Sequence, residues 1–546
     1  MATPTDYTTW SPTDLITRIT SLESQFRAHN LTYTQPPPST AYKKPKKAPK
    51  PFDPSRYSTR LIALKFAYLG GAYNGFEHHS NNKTPLPTIE EELWRALRKV
   101  KLIFPNFKEG KGRVGGEELE EVEWEGCDYS KCGRTDKGVS AFGQVVGVRV
   151  RSARPAKREK RVEGWEGGDV DGGGESGVVA EEPEFDSVKD ELPYIQLINR
   201  VLPPDIRVLA WCPDPPADFS ARFNCKERRY RYFFTNPAYA PLPGNSPKSG
   251  EGWLNIEAMN EAAQKYEGLH DFRNFCKIDP GKQITNFERR IFHAGIHAVG
   301  PEDEPGSLLS QQAVQGNGST DGSVVSHTPR LYWFEVRGSA FLWYQVRCLI
   351  AVLFLVGQGW EKPSIVDELL DVQKTPSRPK YEMASDVPLV LWDCVFPDPE
   401  KLSQADHAEN GESAHAGGYE DGMNWLYVGD GEGGQDKAKR NPSGVEDGKY
   451  GRGGVMEDLW SLWRQRKMDE VLAGSLMNVV GRQGKLSSLC DDELKLKSDR
   501  VYDGSELPRT VGTYVPVMQR ERMEAPEVVN ARYAARKGLE ARHRDA

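Results

Sequence analysis

The sequence predicts an α+β fold with helices on one face of its sheets. Three observations carry this. Strand-like runs occur at 61–70, 144–150, 229–235 and 331–336, and helical spacing of apolar residues occurs at 87–100, 194–201, 256–266 and 341–356. The order of a strand, a helix and a closing strand recurs loosely in the two halves of that region. The chain of 546 residues has length enough for several domains. With 38% hydrophobic residues and a mean hydropathy of −0.64, part of it is too polar to fold.

In chain order, Leu15, Ile16, Ile19, Leu22 and Phe26 recur at helical spacing behind the start signals Ser11, Pro12 and Asp14, which predicts a helix from about Ser11 to Ala28 in an N-terminal segment, 1–32. Residues 33–59 form a proline-rich linker with five lysines between Lys43 and Lys50, a solvated spacer, an import signal or an RNA-contacting arm. The first half of the core, 60–213, opens on the strand Leu61–Gly70. Thr88 is placed to cap a helix from Pro87 to Val100 whose first turn is acidic. Gln144–Val150 alternates apolar and polar residues, as a half-buried strand does. An insert at 162–188 follows, with nine carboxylates, seven glycines and no Lys or Arg. A helix over Tyr194–Val201 is then stopped by Pro203 and Pro204.

The second half, 214–396, has strands over Arg229–Thr235 and Leu331–Val336, helices over Ile256–Tyr266 and Phe341–Val356, and a loop insert at 300–327. Residues 397–455, rich in Gly, Asp and Glu, bury too little apolar surface to offset their ordering entropy. They are expected to be disordered except at Trp425-Leu426-Tyr427. A C-terminal extension, 456–546, holds an amphipathic helix over Asp458–Val480 and a basic tail from Met518, either a solvated helix or an RNA contact.

Composition excludes several classes. The longest apolar run, Cys348–Val356, is far short of the roughly 20 residues of a membrane span, so it predicts a buried helix and no membrane association. The N-terminus has neither the basic nor the apolar part of a secretory signal, and an intracellular protein is expected. Eight cysteines lie scattered without a CxxC pair, so reduced thiols and no metal site are expected. Lys and Arg number 72 against 79 Asp and Glu, a net charge of −7. The stretches 162–188, 300–327 and 397–455 carry nine, four and six net negative charges, however, so the remainder carries +12. The part expected to fold is basic, as a nucleic-acid-binding protein would be.

The chemistry is concentrated in Lys131-Cys-Gly-Arg-Thr-Asp-Lys-Gly-Val-Ser-Ala-Phe-Gly-Gln-Val145. Asp136 lies among basic neighbours in a loop that feeds a strand, where Gly133 and Gly138 let backbone approach a ligand closely. Taken alone, the fragment is equally an Asp accepting hydrogen bonds from its own turn. By itself Tyr230 is a core strand aromatic, and Arg347 a helix residue that extends its charge to solvent.

This segment resembles the active-site motif of the TruA family of tRNA pseudouridine synthases. Leu61–Phe76 is similar to that family's opening strand and turn, Pro87–Leu97 to its first helix, and Leu197–Val208 to the segment that closes its first half. Asp218-Phe-Ser-Ala-Arg-Phe-Asn224 leads to Arg228-Arg-Tyr-Arg-Tyr232, similar to the motif that supplies an active-site tyrosine; Gly268–Phe272 and Ala340–Arg347 complete the set. The resemblance covers about 60–396. Phe272–Asp279 and Met383–Cys394 look like the eukaryotic branch that modifies tRNA positions 38 and 39 in the anticodon arm. Tyr344 departs from the pattern, since many relatives carry His there.

The resemblance implies two ferredoxin/RRM-like halves whose antiparallel sheets form one continuous catalytic fold, with helices on the outer face. It implies that Asp136 is the essential catalytic residue, Tyr230 the active-site tyrosine, Arg347 the partner of Asp136, and Arg134 a residue in the RNA path. Lys131, Lys137, Arg228, Arg229 and Arg231 are expected to contact phosphates. The implied partner is the tRNA anticodon arm and the implied assembly a homodimer, in nucleus and cytoplasm, with no cofactor and no metal. A catalytically silent tRNA-binding protein of the same fold is the alternative, stacking bases on Tyr230-Arg-Tyr-Phe-Phe234. A scaffold that binds partners through its inserts is a third reading. The joint presence of Asp136, Tyr230 and Arg347 weighs against the silent protein, and the few hydrophobic anchors in the inserts weigh against the scaffold.

Overall fold

The structure, a computed structural model, describes residues 11, 13–21, 52–80, 84–105, 113–114, 117–118, 122–156, 185–241, 251–301, 303–304, 329–398, 418–430, 448–451, 453–484 and 499–538. Its contacts divide the chain into Met1–Asp53 and Pro54–Ala546. In the first unit residues 13–21 are helical, and Ser11 Oγ accepts from the Asp14 N–H at 3.2 Å as a cap. The rest of the helix expected to Ala28 and the Lys43–Lys50 tract lie outside the described residues.

A ten-stranded sheet organises the second unit. Its strands are β1 (Tyr57–Tyr68), β2 (Ser130–Lys131), β3 (Ser140–Pro155), β4 (Ile206–Cys212), β5 (Glu227–Asn236), β6 (Gly268–Asp271), β7 (Glu288–Ala298), β8 (Arg330–Gly338), β9 (Leu389–Val395) and β10 (Leu426–Tyr427). Neighbours run β10-β4-β1-β3-β9-β5-β8-β7-β6, with β2 alongside β3. The helices are α1 (Ile89–Lys99), α2 (Tyr194–Asn199), α3 (Ile256–Gln264), α4 (Gln345–Gly357), α5 (Ile365–Leu370), α6 (Val455–Gly481) and α7 (Pro526–Lys537).

Local sequence accounts for the main elements. Thr88 and Glu91 form a capping box at the start of α1, which buries Leu93, Trp94 and Leu97. α4 is apolar around its whole circumference and is accordingly buried almost throughout. Among the described residues no helix is long and apolar enough to cross a membrane. One apolar core gathers β1, β3 and β4 with α1 and α2, and a second gathers β5, β7 and β8 with α3 and α4.

The two parts of the sheet meet at β3 and β9. There Val390 pairs with Ser140 and Leu391 with Ala141 in parallel, while β9 pairs antiparallel with β5 on its other edge, Leu391 opposite Tyr230. The expected antiparallel sheets are therefore one mixed sheet. β1 fixes the direction of β3 and β5 fixes that of β9, and the join between them is left parallel.

Two elements near the C-terminus add to this core. The segment 418–430 lays Met423 and Trp425 on the first core and pairs Leu426 with Trp211. The basic tail expected to be solvated or to touch RNA holds α7, which docks on the loop before β7: Asn530 Nδ2 donates to Ile284 O at 3.0 Å, and Gln283 Nε2 donates to Asn530 O at 3.2 Å. Most of the inserts expected at 162–188, 300–327 and 397–455 lies outside the described residues.

Candidate active site

A cleft of about 1210 Å³ opens over the join. Along one side runs the loop from Cys132 to Val139, between β2 and β3. Gln144, wholly buried on β3, reaches back to it: Oε1 accepts from the Gly133 N–H and Nε2 donates to the Gly133 C=O, each at 3.1 Å. Tyr68 OH and Thr135 Oγ1 share a 2.7 Å hydrogen bond, and the Phe76 N–H donates to the Thr135 C=O at 3.1 Å. Two glycines with positive φ permit this closeness. A Cβ on Gly75 would lie 2.9 Å from Thr135 O, and one on Gly138 would lie 2.4 Å from Asp386 Oδ2. The backbone on both sides of Asp136 is thereby held.

The Asp136 carboxylate lines the cleft and accepts a 3.1 Å hydrogen bond from Trp343 Nε1 at Oδ1. Burial raises its pKa to about 6; the nearby Arg347 charge and the Trp343 hydrogen bond oppose that rise, and Asp386 adds to it. At neutral pH the carboxylate is mostly ionised. Arg347 is brought beside Asp136; its Nε donates to Ala384 O at 2.7 Å, and its charge acts on Asp136 through space. Tyr230 projects from β5 into the cleft, its ring edge-on to Phe341 with centroids 5.0 Å apart. Burial keeps its phenol protonated by pushing the pKa up.

The departure at Tyr344 has a structural counterpart. Tyr344 precedes α4 with φ +60°, an uncommon conformation for a bulky side chain, and its ring stacks on Trp343 at 4.7 Å while the Arg347 guanidinium lies 4.9 Å from it. Lys277 lies close to both rings, its ammonium 4.9 Å from Trp343 and 5.7 Å from Tyr344.

The expected phosphate contacts separate into three groups. Arg134 and Lys137 are exposed at the cleft, Arg134 with Nε 3.2 Å from Glu77 and Lys137 with no ion pair among the described residues. Lys131 and Arg228 line the cleft but are occupied. Lys131 Nζ lies 3.0 Å from Glu77 and 2.8 Å from the buried Glu90, and Arg228 donates to the carbonyls of Ser339, Cys132 and Arg222. Arg229 and Arg231 are not brought to the cleft. Successive side chains of a strand point to opposite faces, so with Tyr230 over the cleft both lie behind the sheet. There Arg231 sits 4.6 Å and 4.0 Å from the Trp333 and Trp392 rings, and Arg229 pairs with Glu227 at 2.7 Å. Sequence reasoning singled out neither Trp343, Arg222, Lys277, Lys282 nor Arg289, all in the cleft lining. The signal for Trp343, Lys277 and Arg222 was present, since they stand inside the motifs Ala340–Arg347, Phe272–Asp279 and Asp218–Asn224.

Residues 262–397 match the tRNA pseudouridine synthase family. A tRNA pseudouridine(38/39) synthase of Saccharomyces cerevisiae is 39% identical over 401 residues, which cover 72% of this chain and 72% of the yeast protein. The chain belongs to the tRNA pseudouridine synthase family. A mouse protein of the same name is 42% identical over 350 residues, 64% of this chain and 58% of its own length. The tRNA pseudouridine synthase A of the archaeon Methanoculleus marisnigri is 26% identical over 335 residues, 61% of this chain and 82% of its own. The segment that matches the pseudouridine synthase family contains Trp343 and Arg347.

Proposed function

We propose that this pseudouridine synthase isomerises uridine to pseudouridine at positions 38 and 39 of the tRNA anticodon arm, with Asp136 as its catalytic residue. The observation that carries the reading is a partly buried carboxylate, held by Trp343 beside Arg347, in a cleft with exposed basic residues at its edge. Kinship with proteins named for positions 38 and 39 supports the site of modification.

The reaction breaks the bond from C1′ to N1 of the uracil and forms one from C1′ to C5, so product and substrate are isomers and no electron acceptor is required. Asp136, ionised, attacks C1′ or stabilises positive charge there. Tyr230 offers a flat face to the base as it turns and a protonated phenol within the cleft. The C5 proton leaves and N1 gains one, a transfer a phenol or water can carry. Reaching a stacked uridine requires extruding it, at about a few kcal/mol. Arg134 at the cleft edge takes the vacated space, and Lys137 meets the backbone.

The neighbour orders β4-β1-β3-β2 and β9-β5-β8-β7 support reading the two parts as ferredoxin/RRM-like halves, 60–213 and 214–396. A homodimer, and residence in nucleus and cytoplasm, complete the proposal, with the Lys43–Lys50 tract a spacer, an import signal or an RNA-contacting arm. The test is to incubate the purified chain with unmodified tRNA and map pseudouridine. Signal at 38 and 39 supports the reading, and tRNA binding without signal at any uridine favours the catalytically silent alternative.

A further inference from the structure

The cysteines that look scattered in the sequence do not all stay apart. Cys132 in the Asp136 loop, Cys225 at the entry to β5 and Cys394 in β9 come from segments about 90 and 170 residues apart, yet their sulfurs all lie within 4.8 Å of one another. All three are buried, with Cys132 and Cys225 at the cleft wall. We propose that Cys132, Cys225 and Cys394 form a structural zinc site that clamps the Asp136 loop to the join between the two parts of the sheet.

Geometry, charge and position support this. Zinc binds thiolate sulfur at about 2.3 Å, which places ligating sulfurs roughly 3.8–4.0 Å apart, so the trio needs less than about 1 Å of inward movement per pair. Three thiolates and Zn(II) leave one negative charge, and the Arg228 guanidinium beside them offsets it, its Nη2 bonded to Cys132 O at 3.1 Å. A monovalent copper ion would leave a second negative charge in the same buried place. The trio supplies three of the four ligands zinc takes, and because Cys132 and Cys225 line the cleft, a water from it would be the fourth. The clamp is independent of the isomerisation chemistry.

The full chain, purified without added metal, should contain about one zinc per molecule. After chelation, cobalt(II) should restore tetrahedral ligand-field bands and a thiolate charge-transfer absorption. Cys394→Ser should weaken zinc binding by more than about tenfold and cut the charge-transfer intensity by about a third. Cys212→Ser, which alters a buried thiol outside the trio, should change neither. Should Cys394→Ser fail to fold, the cobalt spectrum of the unaltered chain still decides. Zinc below about 0.1 per chain with no charge-transfer band, equal loss in Cys212→Ser and Cys394→Ser, or a disulfide within the trio would overturn the proposal.

Discussion

Replacing Trp343 with Phe removes one hydrogen bond from Asp136 and keeps most of the ring that stacks on Tyr344. A hydrogen bond to a charged acceptor contributes about 1.5–3 kcal/mol, and 1.36 kcal/mol corresponds to one pKa unit, so the Asp136 pKa should rise from about 6 by at least one unit. Because the ionised carboxylate is the active form, activity should fall as pH drops through the pKa, and the variant's acid limb should move toward neutrality. For a one-unit rise, the ionised fractions predict a loss of about 10% at pH 8, under about twofold at pH 7 and about ninefold at pH 5. The assay is single-turnover pseudouridine formation on one tRNA transcript from pH 5 to 8, with enzyme saturating. A loss of equal size at every pH would refute the argument, since it would place Trp343 in RNA contact or packing and not in the ionisation of Asp136.

Arg231→Gln should leave tRNA affinity within about twofold, because the side chain lies behind the sheet, while urea unfolding shows about 1 kcal/mol lost with the ring contacts; a tenfold loss of affinity would make that face an RNA surface. Gln144→Leu leaves the Gly133 N–H and C=O without their partner and should destabilise the fold by about 2 kcal/mol, with kcat falling more than KM as the loop loosens. The logarithm of tRNA affinity should decline linearly with the logarithm of salt, and Lys137→Ala should reduce that slope by about one phosphate contact, roughly 0.7–0.9. A slope unchanged by this substitution would take Lys137 off the RNA path.

The Asp136 loop was legible because its glycines, charges and following strand form one local pattern, and the helix α1 because its cap and apolar stripe are local too. What escaped the sequence was long-range. Lys131 looks like a phosphate ligand until the turn between β1 and α1 brings Glu77, and α1 brings Glu90, to it. Arg229 and Arg231 were misplaced although strand alternation, applied outward from Tyr230, would have turned them away from the cleft. β7 was not singled out, since charges interrupt the apolar alternation of Glu-Arg-Arg-Ile-Phe-His-Ala-Gly-Ile-His-Ala. The docking of α7 includes Asn530, a polar residue whose partners Gln283 and Ile284 lie about 250 positions away, and an ion pair from Glu527 to Arg273. The convergence of three cysteines at the join required the sheet order itself.

The central claim is that Asp136 performs the chemistry and contributes little to binding. The direct measurement pairs single-turnover mapping of pseudouridine at positions 38 and 39 with the dissociation constant for the same tRNA, for the unaltered chain and for Asp136→Asn. The account predicts no detectable pseudouridine from the variant at saturating enzyme, with affinity equal or tighter because a negative charge has left a basic cleft. Turnover by Asp136→Asn near that of the unaltered chain would contradict it.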